Sequence, residues 1–397
     1  MKPFNILIVE DHPFQHMYLQ HLFNELGAFK LEAARDGQEA LERLRQQNFD
    51  LVLTDLLMPG MDGVQFIQHL TGLPHKPGLA IMSAASRRML MAASLVAKNL
   101  GVDVLGLISK PVEPAALRSL IDQLLLRQQA TVQAKPTILE FNRQTLVDAL
   151  NNHAFQAWFQ PKKSLHNGRI VAAEALVRWM HPEQGVLLPS AFLPTLNAFG
   201  LEERLLWVML KQAMDAQTRW REQGYDIPVS INLPTHLLNS HDLADRLLEF
   251  VLHHQGMPGK LCFELMECSV PEDLSNFYAG ACRLRMKGFG LSQDDFGKGY
   301  SSYMSLVSTP FTELKIDRAL VQRCDESESL SSALASIVAL GRKLGLTVVA
   351  EGVETPQELE LLRKVDCNQV QGFLISHAVS AEQFQRLLRS DGPPLTF

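Results

Sequence analysis

Short apolar runs alternate with amphipathic stretches along the first 128 residues. The runs fall at Ile6–Val9, Leu31–Ala34, Leu51–Thr54, Leu79–Met82 and Val104–Ile108, and a helical pattern follows each, the last from Pro114 to about Gln128. Five such β–α units predict a doubly wound five-stranded parallel sheet of flavodoxin-like type, with ligands at the carboxyl ends of its strands. The pattern breaks over residues 128–140 (QQATVQAKPTILE), where Pro136 predicts a helix stop. This segment reads as a linker between an N-terminal domain, residues 1–127, and a C-terminal domain, residues 141–397.

Beyond the linker the same alternation returns with eight strand candidates. They are Ala157–Gln160, Arg169–Val177, Ile227–Asn232, Leu261–Leu265, Phe289–Gln293, Glu313–Ile316, Thr347–Ala350 and Asn368–Gln371. Intervals such as Leu201–Gln223 and Leu330–Leu344 are long enough for helices, so the repeat fits a closed (β/α)8 TIM-like barrel. One connection differs. His166–Asn167–Gly168 joins the first two strands, and Asn-Gly is a strong hairpin signal, so one strand should run antiparallel.

Composition narrows the class. A chain of 397 residues suits two domains, and 46% hydrophobic with 20% charged residues is ordinary globular protein. A net charge of −6 argues against a sequence-independent DNA or RNA binder but leaves room for a small nucleotide. Five cysteines without a C-x-x-C pair read as buried thiols in a reducing cytosol. The first residues reach Glu10–Asp11 after too short an apolar run for a signal peptide, and no apolar stretch is long enough for a bilayer. A soluble cytoplasmic protein without membrane insertion is the expectation. Trp158, Trp179, Trp207 and Trp220 read as core or interface residues rather than base-stacking platforms.

The chemistry lies where strands end. In the second domain the apolar runs close on Glu174, Asn232, Glu264, Asp294–Asp295, Lys315–Ile316–Asp317 and Glu351. Carboxylates converging at one barrel mouth repel one another, and cations must offset that repulsion. Oxygen donors without His or Cys select Mg2+ or Mn2+ over Zn2+. Two such ions, roughly 3.5–4 Å apart, would serve an in-line phosphoryl displacement. Lys315 cannot ligate while protonated, but it can orient water or neutralise charge on phosphorus. A solvated loop or helix cap would account for any one acid, Asp317 and Glu354 most readily; the full set at one face would need several coincidences.

In the first domain Glu10–Asp11, Asp55, Ser83 and Lys110–Pro111 end neighbouring strands. Acids there call for Mg2+, and an ammonium can hold a phosphoryl oxygen. Helix capping would explain each acid singly. His12 and His16, spaced i, i+4, read as a solvated helix face rather than a metal pair.

Asp55-Leu56-Leu57-Met58-Pro59-Gly60-Met61-Asp62-Gly63, taken with the other three motifs, resembles the receiver domain of bacterial response regulators over about residues 4–126. The resemblance implies that Asp55 accepts a phosphoryl group from a histidine kinase or small phosphodonor. Asp11, Asp55 and the Leu57 carbonyl would hold one Mg2+, Glu10 would assist, and Ser83 and Lys110 would contact the phosphoryl oxygens. Leu107 stands where that family usually carries an aromatic switch residue.

Glu174-Ala175-Leu176-Val177-Arg178, Glu264-Leu265-Met266-Glu267, Asp294-Asp295-Phe296-Gly297, Leu314-Lys315-Ile316-Asp317, Glu351-Gly352-Val353-Glu354 and Gln371-Gly372-Phe373 resemble the EAL domain family of cyclic di-GMP phosphodiesterases, from about Gln160 to Gln371. The resemblance implies hydrolysis of cyclic di-GMP to linear pGpG. Glu174, Asn232, Glu264 and Asp294 would bind metal, with Asp295 bridging to a second ion. Lys315 would assist the water, while Glu351 supports the site and Gln371 lies beside it. Arg178, Asp317, Glu354 and Gln371 would contact substrate, Gln160 and Leu176 would line the pocket, and Glu267 would anchor the loop Phe296–Ser302. Met266, Tyr303 and His377–Ala378 depart from the family's usual residues without removing a ligand. A receiver ahead of this domain resembles response-regulator phosphodiesterases that control biofilm and virulence, and it implies a cognate histidine kinase and a homodimer or higher assembly. A barrel that binds cyclic di-GMP without cutting it is the main alternative, and loss of a ligand or of Lys315 would favour it; a scaffold would need no such constellation.

Overall fold

The structure, a computed structural model, describes residues 4–27, 29–73, 75–133, 141–266, 274–297, 303–325 and 328–390. It divides into two compact units, Met1–Thr137 and Ile138–Phe397.

In the first unit β1 (Asn5–Val9), β2 (Lys30–Ala34), β3 (Leu51–Asp55), β4 (Gly78–Ser83) and β5 (Val104–Ser109) pair in parallel in the order β2-β1-β3-β4-β5. Alternate residues feed opposite layers, as the pleat requires. Leu7, Val9, Val52 and Ile81 pack with Phe66 and Ile67 on one face, and Ile6, Ile8, Leu51 and Leu53 pack with Phe23 and Leu117 on the other. The strand order reverses direction between β1 and β3, which opens a crevice beyond their carboxyl ends. The last helix runs Pro114–Gln133, past the stop expected near Gln128. Gln128 to Gln133 contains no helix breaker, and the first strong one, Pro136, lies outside the described residues.

In the second unit the strands are β6 (Phe155–Ser164), β7 (Ile170–His181), β8 (Gly185–Leu187), β9 (Val229–Asn232), β10 (Leu261–Met266), β11 (Gly290–Phe296), β12 (Glu313–Ile316), β13 (Thr347–Ala350) and β14 (Gln369–Val370). They follow the order β6-β14-β13-β12-β11-β10-β9-β7, and β6–β7 pairing closes the ring of eight. β6 is antiparallel to both neighbours, β7 and β14, as the Asn167–Gly168 turn requires. Gly168 takes φ +71° there, a left-handed conformation that glycine adopts without penalty. β6 and β7 are longer than the sequence pattern shows, because Pro161 and the pair Lys162–Lys163 look like a strand end, yet both lysines are buried. β8, three residues paired to the far end of β7, is too short to leave a periodic signal.

Trp179 and Trp220 are core residues; Trp220 packs on Phe384 and Phe159 outside the barrel. Cys324 and Cys367 are buried, but Cys282 is exposed on the helix Leu274–Met286, contrary to the expectation of uniformly buried thiols. No described helix is long and apolar enough to cross a membrane.

Candidate functional site

At the β1/β3 crevice the structure brings together Glu10, Asp11 and Asp55, each offering a carboxylate oxygen within 4.8 Å of the others. Lys110 reaches them from the loop after β5. Its Nζ donates to Glu10 Oε2 at 2.7 Å and also to Asp55 Oδ2. The Leu57 N–H donates to Asp55 Oδ1 at 3.1 Å, so both oxygens of Asp55 are oriented. Ser83 ends β4, fully buried, and its Oγ accepts from the Ala85 N–H. Gly63 packs against Asp55 itself: a Cβ there would lie 2.3 Å from the Asp55 carbonyl oxygen. His12 and His16 join no metal-spaced cluster among the described residues.

The barrel mouth is more crowded. β7 alternates Glu174, Leu176 and Arg178 along one face, and Gln160 of β6 pairs opposite Glu174. β12 delivers Lys315 into the centre. Its Nζ lies 3.2 Å from Glu174, 2.9 Å from Glu264, 2.9 Å from Asp294 and 2.7 Å from Glu351. Gln371 Nε2 donates to Glu174 Oε2 at 2.6 Å and to Gln160 Oε1 at 3.0 Å, while its own Oε1 is buried without a donor. Asn232 stands exposed at the rim, its Nδ2 3.5 Å from Glu174 Oε1.

Neighbouring strand residues normally face opposite ways, yet Asp294, Asp295 and Glu351 offer oxygens within 4.8 Å of one another. The register between β11 and β12 slips between Gln293 and Phe296, and Asp295 adopts φ +55°. This bulge turns both aspartates to the same place, and a left-handed aspartate is the kind of local strain that collects at functional sites.

Charge at the mouth exceeds what one ammonium offsets. Burial, reinforced by Glu264, pushes the Glu174 carboxyl up to about 7 although Lys315 pulls against it. Burial likewise pushes Glu351 up to about 8, with Asp294 and Glu174 adding to the rise and Lys315 opposing it. Burial also raises Asp294. For Glu264 burial works the same way, but Lys315 and Lys162 outweigh it and hold the carboxyl down at about 2. Beside this ring lies a cavity of about 640 Å³, lined by Glu174, Leu176, Asn232, His236, Met266 and Asp294 among others. That size takes a small ligand.

Three other candidates have partners outside the ring. Arg178 lies with its guanidinium 5.7 Å from the Trp158 ring centre and donates to the Val177 carbonyl. Asp317 accepts from the Ala319 N–H and caps the short helix Arg318–Val321. Glu354 is exposed and accepts from Gln322. Glu267 and residues 298–302 of the segment it is expected to anchor lie outside the described residues. Three groups escaped the sequence reading. Lys162 and Glu313 form an ion pair in the lumen, and Glu358 accepts from the backbone N–H groups of Arg323, Glu354 and Thr355. The last had a readable signal, the capping box Thr355-Pro-Gln-Glu358.

Residues 143–378 match the EAL domain, and residues 6–122 match the response regulator receiver domain. The chain is 30% identical over 393 residues to the cyclic di-GMP phosphodiesterase RocR of Pseudomonas aeruginosa, covering 97% of this chain and 98% of that protein. It is 35% identical over 240 residues to the oxygen sensor protein DosP of Escherichia coli, covering 60% of this chain but only 30% of DosP. Among solved structures, a complex of the PaMucR phosphodiesterase with c-di-GMP is 35% identical with a TM-score of 0.57, covering 61% of this chain and 98% of that one. An EAL domain protein of Listeria monocytogenes is 25% identical with a TM-score of 0.56, covering 64% and 99%. This chain belongs to the EAL domain family and carries a response regulator receiver domain ahead of its barrel.

Proposed function

We propose that this chain is a response regulator whose barrel hydrolyses cyclic di-GMP to linear pGpG with two divalent cations, and whose rate is set by phosphorylation of Asp55 by a cognate histidine kinase. The carrying observation is the convergence of Glu174, Glu264, Asp294 and Glu351 on Lys315 Nζ at 2.7–3.2 Å, in a chain that matches a cyclic di-GMP phosphodiesterase over nearly its whole length.

The donor set fits Mg2+ or Mn2+. One ammonium faces four carboxylates, Asp295 adds a fifth acid, and every donor is a hard oxygen. Glu174, Asn232, Glu264 and Asp294 would hold one ion and Asp295 would bridge to the second, with Glu351 supporting both. When bound, divalent cations supply Lewis acidity toward the phosphodiester and the attacking water. The chain's own groups do the rest. Lys315 orients the water from the centre of the ring and offsets charge building on phosphorus. Gln371 fixes Glu174 through its 2.6 Å bond, while Gln160 and Leu176 wall the pocket and Arg178 holds a phosphate or guanine edge. Water adds across one P–O3′ bond, leaving a 5′-phosphate and a 3′-hydroxyl. In the first unit Asp11, Asp55 and the Leu57 carbonyl would hold one Mg2+, with Glu10 beside them and Ser83 and Lys110 receiving the phosphoryl oxygens.

The test is incubation of the full chain with cyclic di-GMP and Mg2+ or Mn2+, followed by chromatography. The expected product is pGpG, at a rate that changes when acetyl phosphate is added. Intact cyclic di-GMP with both metals would overturn the hydrolytic reading.

A further inference from the structure

Below the ring at the mouth the lumen holds a second ammonium. A barrel interior is ordinarily filled by layers of apolar side chains. Here Lys162 of β6, fully buried, points inward two residues beyond Gln160, and because β6 runs antiparallel it sits one layer deeper than the mouth. Its Nζ donates to Glu264 Oε1 at 3.0 Å, Glu313 Oε1 at 2.7 Å and Ser230 Oγ at 2.8 Å. Three donors meet three acceptors, so the ammonium is fully used. Glu264 is thereby held from two sides, by Lys162 at Oε1 and by Lys315 at Oε2.

A buried lysine is costly unless it is paired, and apolar replacement of a buried ion pair often leaves stability unchanged or improved. Packing therefore gives no reason for Lys162 and Glu313 to be charged. The geometry does give one. Oε2 of Glu264 meets the mouth's Lys315, and a carboxylate can turn about its side chain unless its other oxygen is tied down. We infer that Lys162 is a positioning residue for the barrel's cation site: it grips Glu264 Oε1 from below and so aims Oε2, the oxygen that meets Lys315, at the ions. This inference rests on the metal-dependent reading above. Partners of ligating carboxylates commonly matter about 10–100-fold in metal affinity.

The test measures Mn2+ binding to the full chain by electron paramagnetic resonance of the free ion, alongside thermal unfolding and without turnover. The double variant Lys162→Met/Glu313→Leu removes one positive and one negative charge, so the net charge of the lumen is unchanged and only the grip on Glu264 is lost. We expect it to melt near the wild type and bind Mn2+ about tenfold more weakly. Wild-type affinity in the double variant would overturn the inference. Should that variant fail to fold, Lys162→Gln and Lys162→Met decide the matter. Both lose the same charge, but only glutamine keeps a donor for Glu264, so tighter Mn2+ binding by Lys162→Gln supports positioning and equal binding overturns it. A wild-type barrel that binds no Mn2+ would overturn the parent reading and this inference together.

Discussion

The two acidic sites solve one problem in different ways. In the sheet, Lys110 meets two carboxylates, Glu10 and Asp55, at a crevice between strand ends. In the barrel, Lys315 meets four, and a second lysine lies beneath them. Topology sets the difference. An open sheet brings a few strand ends together at its switch point, whereas a closed ring points every parallel strand at one mouth. The sheet site holds a single aspartate, Asp55, at both oxygens, the residue proposed above as the acceptor. The barrel site gathers more negative charge than its central lysine balances, a surplus that the divalent cations proposed above would offset.

Several experiments would break or sharpen this contrast. Lys315→Met should cut turnover by about a thousandfold or more while the Mg2+-loaded protein still gives a native circular dichroism spectrum. Without added cations it should be destabilised by about 3–5 kcal/mol, because three buried carboxylates and the half-buried Glu351 lose their ammonium. Near-normal turnover would mean that the central lysine only balances charge. Glu174→Gln keeps the shape but removes a charge, and a loss of about a hundredfold in kcat/KM together with weaker Mn2+ binding is expected.

Acidity offers a gentler probe. With Glu174 pushed up to about 7 and Glu351 to about 8, protons on these carboxyls below neutrality would compete with the proposed cation. Mn2+ affinity should therefore rise about tenfold or more from pH 6 to pH 8.5. A flat profile would show that the carboxyls are already ionised. In the sheet, Gly63→Ala should cost about 1–3 kcal/mol and slow phosphorylation by acetyl phosphate, since its Cβ would press on the Asp55 carbonyl. Asp55→Asn should have the smallest effect on basal hydrolysis but should abolish any response to acetyl phosphate. A response that persists would place control elsewhere.

Much of this was legible in the sequence, for a physical reason. Strand-end residues are read by position alone, so Glu174, Glu264, Asp294, Lys315 and Glu351 could be assigned to one face before any contact was known. Groups inside the lumen carry no such marker. Lys162 and Glu313 look like ordinary surface charges, and only closure of the barrel shows that they face one another. The alignment of Asp294 with Asp295 depends on a bulge at Asp295 that residue types do not announce. Arg178, Asp317 and Glu354 are grouped with the site by motif membership alone; in the structure Arg178 donates to the Val177 carbonyl, Asp317 accepts from the Ala319 N–H and Glu354 accepts from Gln322.

The tight bend at Asn167–Gly168 has a reach that its solvent-side position conceals. It sets the phase of the strand before it, and side chains alternate with a period of two. Adding one residue at the bend would rotate Gln160 and Lys162 outward together and swing Phe159, Pro161 and Lys163 into the lumen. Two added residues would restore the phase. Length variation at this corner should therefore be tolerated in even steps and punished in odd ones, although nothing there touches the reacting groups.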